Sequence, residues 1–408
     1  MPLNTYYHRD LDKLFSFLIP HGCKALIIDT KFTHIKRSYD YIVLKNIVGD
    51  VEDVRELFDK VHKISHQKSR IIVTYYNHLW YPLLKLASIF GWRQIRHEQN
   101  WLDDLDLINL LDLADFELIT HQRKLLIPIY IPIISAFINS WIAPLPIINS
   151  LCLTTYLIAR PKPKKRKEYS VSIIIPARNE EGNIPHLIDI IPSFGKWQEF
   201  IFVEGHSSDD TWNEINKIVK KTKNSYIYKQ KGFGKANAVR LGFSKAKGEI
   251  LMIFDADLTV DPKELKQFYE VMANGKAEFT NGSRLVYPME KEAMRTLNKL
   301  GNKIFSILFT WILGQRFKDT LCGTKALFRN DYQNIEKNRK FFGEFDPFGD
   351  FDLIFGAVKQ NLKIREIPVR YKQRKYGYSN ISRFKNCIQL FQMTLYAFRI
   401  FKTYSYKQ

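Results

Sequence analysis

Three short apolar runs, each closing on a cluster of polar and acidic residues, constrain the fold of this chain more than any other feature. Residues 170–176 lead into Pro176-Ala177-Arg178-Asn179-Glu180-Glu181, residues 199–203 into Glu204-Gly205-His206-Ser207-Ser208-Asp209-Asp210, and residues 249–254 into Asp255-Ala256-Asp257. Unbroken β-branched runs suit strands buried on both faces, as parallel strands between helix layers are. In open α/β sheets ligands bind at the carboxyl ends of such strands. Ser-Ser-Asp-Asp before a helix is, taken alone, an N-cap signal, but its recurrence at successive strand ends marks a site. Two carboxylates one residue apart are costly at a buried strand end unless a cation compensates them. Hard oxygen ligands suit Mg²⁺ or Mn²⁺.

The chain has 408 residues, room for two or three domains. A run of proline and basic residues at 160–168 separates two α/β sections, giving an N-terminal domain at 1–159, a linker, a second domain at 169–380 and an amphipathic basic helix at 381–408. In the first half, strands are expected at 24–29, 39–44, 69–75 and 116–121, with helices at 51–64 and 101–114 between them. The wording at 6–20, 39–53 and 71–80 resembles a truncated S-adenosylmethionine-dependent methyltransferase domain. Its first strand runs into Thr30-Lys31-Phe32-Thr33-His34, with no glycine until Gly49. Without the Gly-rich cofactor loop, S-adenosylmethionine is not expected to bind.

Residues 125–159 carry no charge, yet Pro128, Pro132, Pro144 and Pro146 interrupt them. The intervals between prolines are too short to cross a bilayer, so this is either a re-entrant hairpin or, the favoured reading, core strands with a short helix. Residues 381–401 and 294–313 read as amphipathic helices. The four cysteines form no CxxC pair, and the N-terminus has no apolar leader. Both features point to the cytoplasmic side.

The stretches Val-Ser-Ile-Ile-Ile-Pro-Ala-Arg-Asn-Glu-Glu at 171–181, Val-Glu-Gly-His-Ser-Ser-Asp-Asp-Thr at 203–211, Gly-Lys-Ala-Asn-Ala-Val-Arg at 234–240 and Asp-Ala-Asp at 255–257 resemble the family-2 glycosyltransferases of GT-A fold. The nearest branch is that of the polyprenyl- and dolichyl-phosphate glucosyl- and mannosyltransferases. The later motifs Asn281-Gly282-Ser283-Arg284, Asp319 to Lys325, Gly349 to Asp352 and Arg374 to Asn380 extend the resemblance to about residue 401.

The resemblance implies that Pro176, Arg178, Glu180, Glu204, Asp209, Lys235 and Arg284 bind the nucleotide sugar. Asp255 and Asp257 would hold Mg²⁺ or Mn²⁺. Arg374, Tyr376 and Ser379 would meet the acceptor phosphate, with Asp319 and Asp350 as the acidic candidates for catalysis. Thr259 stands where mannosyl relatives tend to have Gln, while the Cys-Gly-Thr-Lys stretch resembles the glucosyl branch. The expected reaction moves a hexose from UDP-glucose or GDP-mannose to a polyprenyl phosphate, with inversion. A sugar hydroxyl acceptor, which would need one of the two acids as base, is the alternative, along with retained methyl transfer.

Charge narrows the partners. The net +20 is concentrated in residues 160–167, with six basic residues and no acid, and in 363–408, with eleven basic residues and one acid. Such clusters suit an anionic membrane surface and, without a nucleic-acid-binding motif, argue against nucleic acid.

Overall fold

The computed structural model describes residues 3–30, 38–91, 100–288, 296–339, 349–374, 376–377 and 383–403. The chain divides into two compact units, one of Met1–Pro163 with Tyr396–Gln408 and one of Lys164–Leu395.

The first unit is built on β1 (Ala25–Ile28), β2 (Tyr39–Lys45), β3 (Ser65–Tyr76), β4 (Phe116–Lys124) and β5 (Thr154–Pro161), in the order β1-β2-β3-β5-β4. β1, β2 and β3 run parallel, while β5 is antiparallel to both β3 and β4. The helices Val54–Lys63 and Asp104–Leu113 start on Asp53 and Asp103, whose carboxylates accept the Glu56 and Asp106 amides. Their apolar faces, with Leu57, Phe58, Leu107 and Leu111, join Ile42, Ile71 and Leu157 in one core.

Two expectations change here. All eight residues of β5 are buried, including Arg160, which donates from Nε to Glu117 at 2.8 Å. Arg160 therefore belongs to the sheet and not to a solvated linker, because an acid on the neighbouring strand compensates its burial. Between β4 and β5 the prolines leave only brief helical turns at Ile134–Phe137, Ile138–Ile142 and Pro146–Asn149. Many of this segment's side chains point outward, so it is not simply core. Among the described residues, no helix is long and apolar enough to cross a membrane.

The second unit holds a seven-stranded mixed sheet of β6 (Val171–Ala177), β7 (Gln198–Glu204), β8 (Ser225–Lys229), β9 (Ile250–Ile253), β10 (Phe279–Ser283), β11 (Lys325–Phe328) and β12 (Ile364–Pro368). Its order is β12-β10-β11-β9-β6-β7-β8. The four strands β8, β7, β6 and β9 are parallel, and β11 is antiparallel to β9 and β10. Val171, Ile173, Ile174 and Ile175 are fully buried, as an unalternating run requires. Each such side chain contributes about 1.5–3 kcal/mol by leaving water.

The helix Lys235–Lys245 lies so close to β6 that a Cβ on Gly242 would stand 2.5 Å from Ile174 Cγ2. The helices Thr296–Leu313 and Arg383–Phe401 are two-sided: Phe309, Ile312, Leu390 and Met393 are buried, while Leu300, Ile304, Ile307, Ile388, Phe391 and Leu395 are exposed.

Candidate active site

The parallel strands β6, β7 and β9 end on one edge of the sheet, and the acidic clusters read from the sequence meet there. After β9 the chain passes through Phe254 to Asp255 and Asp257. Asp255 Oδ1 lies 2.5 Å from Lys235 Nζ at the start of the helix Lys235–Lys245. Asp257 is held on both oxygens: Oδ1 accepts the Thr259 amide at 3.1 Å and hydroxyl at 2.8 Å, and Oδ2 accepts Arg374 Nη2 at 2.7 Å. Thr259 thus serves to aim Asp257. Arg374 forks, its Nη1 reaching Glu180 Oε1 at 3.2 Å. Burial raises the Asp257 pKa, but Arg374 and Thr259 outweigh it and hold the carboxyl below its usual range. Burial likewise opposes the charge on Lys235, and Asp255 with Asp350 more than restores it, so the ammonium is held above its ordinary value.

Glu180 behaves differently. It is buried, accepts Asn183 Nδ2 at 2.6 Å, and is pushed up to about 7 by burial, with Arg374 opposing and Asp257 and Asp255 adding to the rise. The folded chain holds this proton more tightly than the unfolded one. Its contribution to stability is therefore fully present below about pH 4.5 and is lost as pH rises through about 7. Glu180→Gln removes that loss: unfolding midpoints followed from pH 4 to 8 (roughly the window of this titration) fall less steeply for the variant than for the wild type.

At the end of β7, Glu204 is buried. Its Oε1 accepts the Ser207 amide, and Oε2 has no hydrogen-bond partner. Gln230, after β8, donates its amide to the Glu204 carbonyl at 3.1 Å, and its own Oε1 is also buried without a partner. Pro176, the last residue but one of β6, is half-buried and Arg178 is exposed. Asp209 is turned inward, accepting Thr211 N at 3.1 Å and Glu181 N at 3.3 Å, so it shapes the loop and does not present a free carboxylate to a ligand. Tyr376 lies over Gly182, where a Cβ would stand 2.5 Å from its ring, and hydrogen bonds with Asp209. That places Tyr376 beside the first two strand ends. Ser379 lies outside the described residues.

The two acids expected to be catalytic are both engaged. Asp319 is fully buried. Its Oδ2 accepts the Arg284 amide at 3.0 Å and Nε at 2.6 Å, and its Oδ1 accepts Nη2 at 2.9 Å and Asn302 Nδ2 at 2.8 Å. Burial raises its pKa, but Arg284 and Asn302 outweigh that and hold it at about 2. Arg284 and Asp319 are therefore each other's counter-ion in a dry site. Asp350 accepts Lys325 Nζ at 2.6 Å, and Gly349, at φ 73°, packs on Ala236 beside Lys235. Asp350 thus joins the Asp255–Lys235 group, while Asp319 does not.

Lys325, Asn302 and Gln230 had no role in the sequence reading. Lys325 stood inside the Cys-Gly-Thr-Lys stretch and could have been noticed there. Gly323 in the same stretch presses on the pair, since a Cβ would lie 2.1 Å from Asp255 Oδ2 and 2.2 Å from Lys235 Nζ. Asn302 sits in an apolar helix and carries no local signal.

Residues 172–335 match the family model described as "Glycosyl transferase family 2". This segment is a family-2 glycosyltransferase domain. The family-2 domain brings the GT-A fold with it, and the strand-end carboxylates fall inside the matched residues. Dolichol-phosphate mannosyltransferase of Pyrococcus furiosus is 28% identical over 52% of this chain and 59% of its own. A dolichyl-phosphate beta-glucosyltransferase of Trichomonas vaginalis is 25% identical over 50% of this chain and 66% of its own. The chain spans about half to two thirds of the length of these curated relatives. Among solved structures, glucosyl-3-phosphoglycerate synthase from Mycobacterium tuberculosis in complex with Mn²⁺ and UDP aligns with 56% of this chain and 80% of that one, at 18% identity and a TM-score of 0.42.

Proposed function

We propose that the family-2 domain transfers a hexose from a nucleoside-diphosphate sugar, UDP-glucose or GDP-mannose, to a polyprenyl phosphate at a membrane surface, with inversion. The observation that carries this reading is the alternation of charge at the strand ends: Asp255 with Lys235, Asp257 with Arg374, and Glu180 beside them. Two carboxylates paired with two cations suit a diphosphate, because Lys235 and Arg374 can exchange the acids for phosphate oxygens as the donor arrives.

The donor set fits a divalent ion. Among the described residues no cluster of three or more His, Cys, Asp or Glu forms a metal cage. A hard cation shared between one or two carboxylates and substrate phosphates needs none. Asp255 and Asp257 would hold it, and it supplies neutralisation of the charge that gathers on the departing nucleoside diphosphate. The unpartnered Glu204 Oε2 and Gln230 Oε1 are two acceptors suited to the N–H and O–H donors of a nucleoside.

The acceptor follows from what the acids are doing. A hydroxyl acceptor needs a base, and Asp319 and Asp350 are committed to Arg284 and Lys325. A phosphate monoester arrives as an anion and needs none, so positioning and charge screening suffice. Relatives named for dolichyl- or undecaprenyl-phosphate substrates agree with that choice. The exposed apolar rows on Thr296–Leu313 and Arg383–Phe401 suit a lipid surface. The first unit is read as a methyltransferase-like remnant. Its cleft at the ends of β2 and β3, lined by Asn46, Asp50, Tyr75 and Trp101, is not expected to take S-adenosylmethionine.

Calorimetric titration of UDP, GDP and their sugars, with Mg²⁺ or Mn²⁺ and after chelation, tests the donor half. One nucleotide binds in a metal-dependent way, and Glu204→Ala weakens it by about tenfold. Binding of neither nucleotide sinks the proposal, and tight S-adenosylmethionine binding overturns the reading of the first unit.

A further inference from the structure

The segment between β4 and β5 has its polarity reversed relative to a loop in water. Tyr130, Ile133, Phe137, Trp141, Ile147 and Leu151 are all exposed, and Ile133 and Ile147 reach 85% exposure. The polar side chains point inward. Asn139 accepts the amides of Leu126 and Ile127 at 2.9 Å and donates to the Ile127 carbonyl at 2.8 Å. Ser135 accepts the Ile131 amide at 2.8 Å and donates to the Ile129 carbonyl at 2.7 Å. Asn149 donates to the carbonyls of Arg123 and Ala143.

Irregular backbone tolerates a hydrocarbon environment only when its polar groups are satisfied internally, which is what Ser135, Asn139 and Asn149 do. Ile133 is held at φ 64°, a strained conformation for a β-branched residue, where its side chain projects outward. Asn77 and Trp80 donate to the carbonyls of Ser150, Leu151 and Cys152, fixing the helix Tyr81–Ile89 alongside, and that helix exposes Leu83, Leu86 and Ile89.

We propose that residues 126–151, with the helix Tyr81–Ile89, form a monotopic insertion element that seats the first unit in one leaflet of an anionic bilayer. The occupant follows from charge. Neither residues 71–97 nor residues 118–167 contain an Asp or Glu, so every formal charge in those stretches is basic. Lys85 lies over the Tyr81 ring, and Arg9 over the Tyr6 ring that packs on Tyr130, so two basic groups stand beside the apolar surface, while Arg123, Lys124 and Arg160 are paired with Asp104, Asp10 and Glu117. Tyr130 and Trp141 suit the headgroup boundary. Basic groups beside an uncharged tip complement anionic headgroups over hydrocarbon. The brief turns are too short to span, so the element enters and returns. Trp141 packs on Phe398 of the same unit, with ring centroids 5.7 Å apart, so the element also rests on the end of the helix Arg383–Phe401, and it does not depend on the transfer reaction.

Flotation of the full chain with phosphatidylcholine vesicles, with and without phosphatidylglycerol, provides the test. The wild type binds the anionic vesicles, and chain-brominated lipid quenches its tryptophan fluorescence, less so in Trp141→Phe. Joining Ile133→Asp to Ile147→Asp alters only exposed side chains and leaves the circular dichroism unchanged. That double variant weakens vesicle binding by at least about tenfold. Vesicle binding at the wild-type level by the double variant, or quenching unchanged in Trp141→Phe, overturns the proposal. Loss of self-association with no change in vesicle binding also overturns it, making a second copy the occupant. If Ile304→Asp with Phe391→Asp abolishes binding while the hairpin variant binds normally, the insertion element fails and the lipid-acceptor reading stands.

Discussion

Asp257→Ala loses hexosyl transfer by roughly three powers of ten, about 4 kcal/mol of transition-state stabilisation. The substitution removes one of two carboxylates available to a divalent ion and releases Arg374 from its closer partner, 2.7 Å away, leaving it Glu180 at 3.2 Å. The chain stays folded, because Asp257 lies at a strand end and its cation is partly open to water, so the unfolding midpoint moves by only a few degrees. Metal-dependent nucleotide binding falls with activity. Steady-state transfer and calorimetry on the same preparation check both effects. Arg374→Lys provides the milder comparison, since a lysine keeps the charge but cannot fork between Asp257 and Glu180.

Asp319→Ala has the second large effect, on stability. Removing one member of a buried ion pair strands the other, at a cost of about 3–5 kcal/mol. Here Arg284 would lose contacts to both carboxylate oxygens, and Asn302 and the Leu321 amide would lose their acceptor. For a unit of this size the midpoint falls by roughly 10 °C. Asp319 is held at about 2, so its share of stability is present above the ordinary 3.8 and is lost as pH falls through about 2. Asp319→Asn keeps the shape with weaker pairing and separates structure from catalysis. Folded Asp319→Asn, measured below its midpoint, retains transfer within about tenfold, whereas a general base would lose several powers of ten.

Strand positions and their acidic ends were legible in the sequence because buried parallel strands need unbroken apolar runs and ligand-facing carboxylates stand immediately after them. The places of Asp255, Asp257, Glu180 and Glu204 after those strands were read that way. Partner choice was not legible. Nothing local distinguishes Arg284 as the partner of Asp319 from Arg374 as the partner of Asp257, since each pairing crosses from one strand end to a distant loop. That Asp209 accepts from the Thr211 and Glu181 amides was not legible either. The uncharged segment after β4 was ambiguous for the same reason: composition reports that a stretch is apolar but not which way its side chains face. In the structure Asn139 and Ser135 turn inward and Ile133 and Ile147 outward.

The most direct measurement follows labelled hexose from UDP-glucose and from GDP-mannose into undecaprenyl phosphate in vesicles, using the full chain with Mn²⁺ or Mg²⁺. The account predicts a lipid-linked sugar that forms from one donor, disappears on chelation and fails with Asp257→Ala. Label that reaches only a hydroxyl acceptor, or transfer undiminished by chelation and by Asp257→Ala, contradicts it.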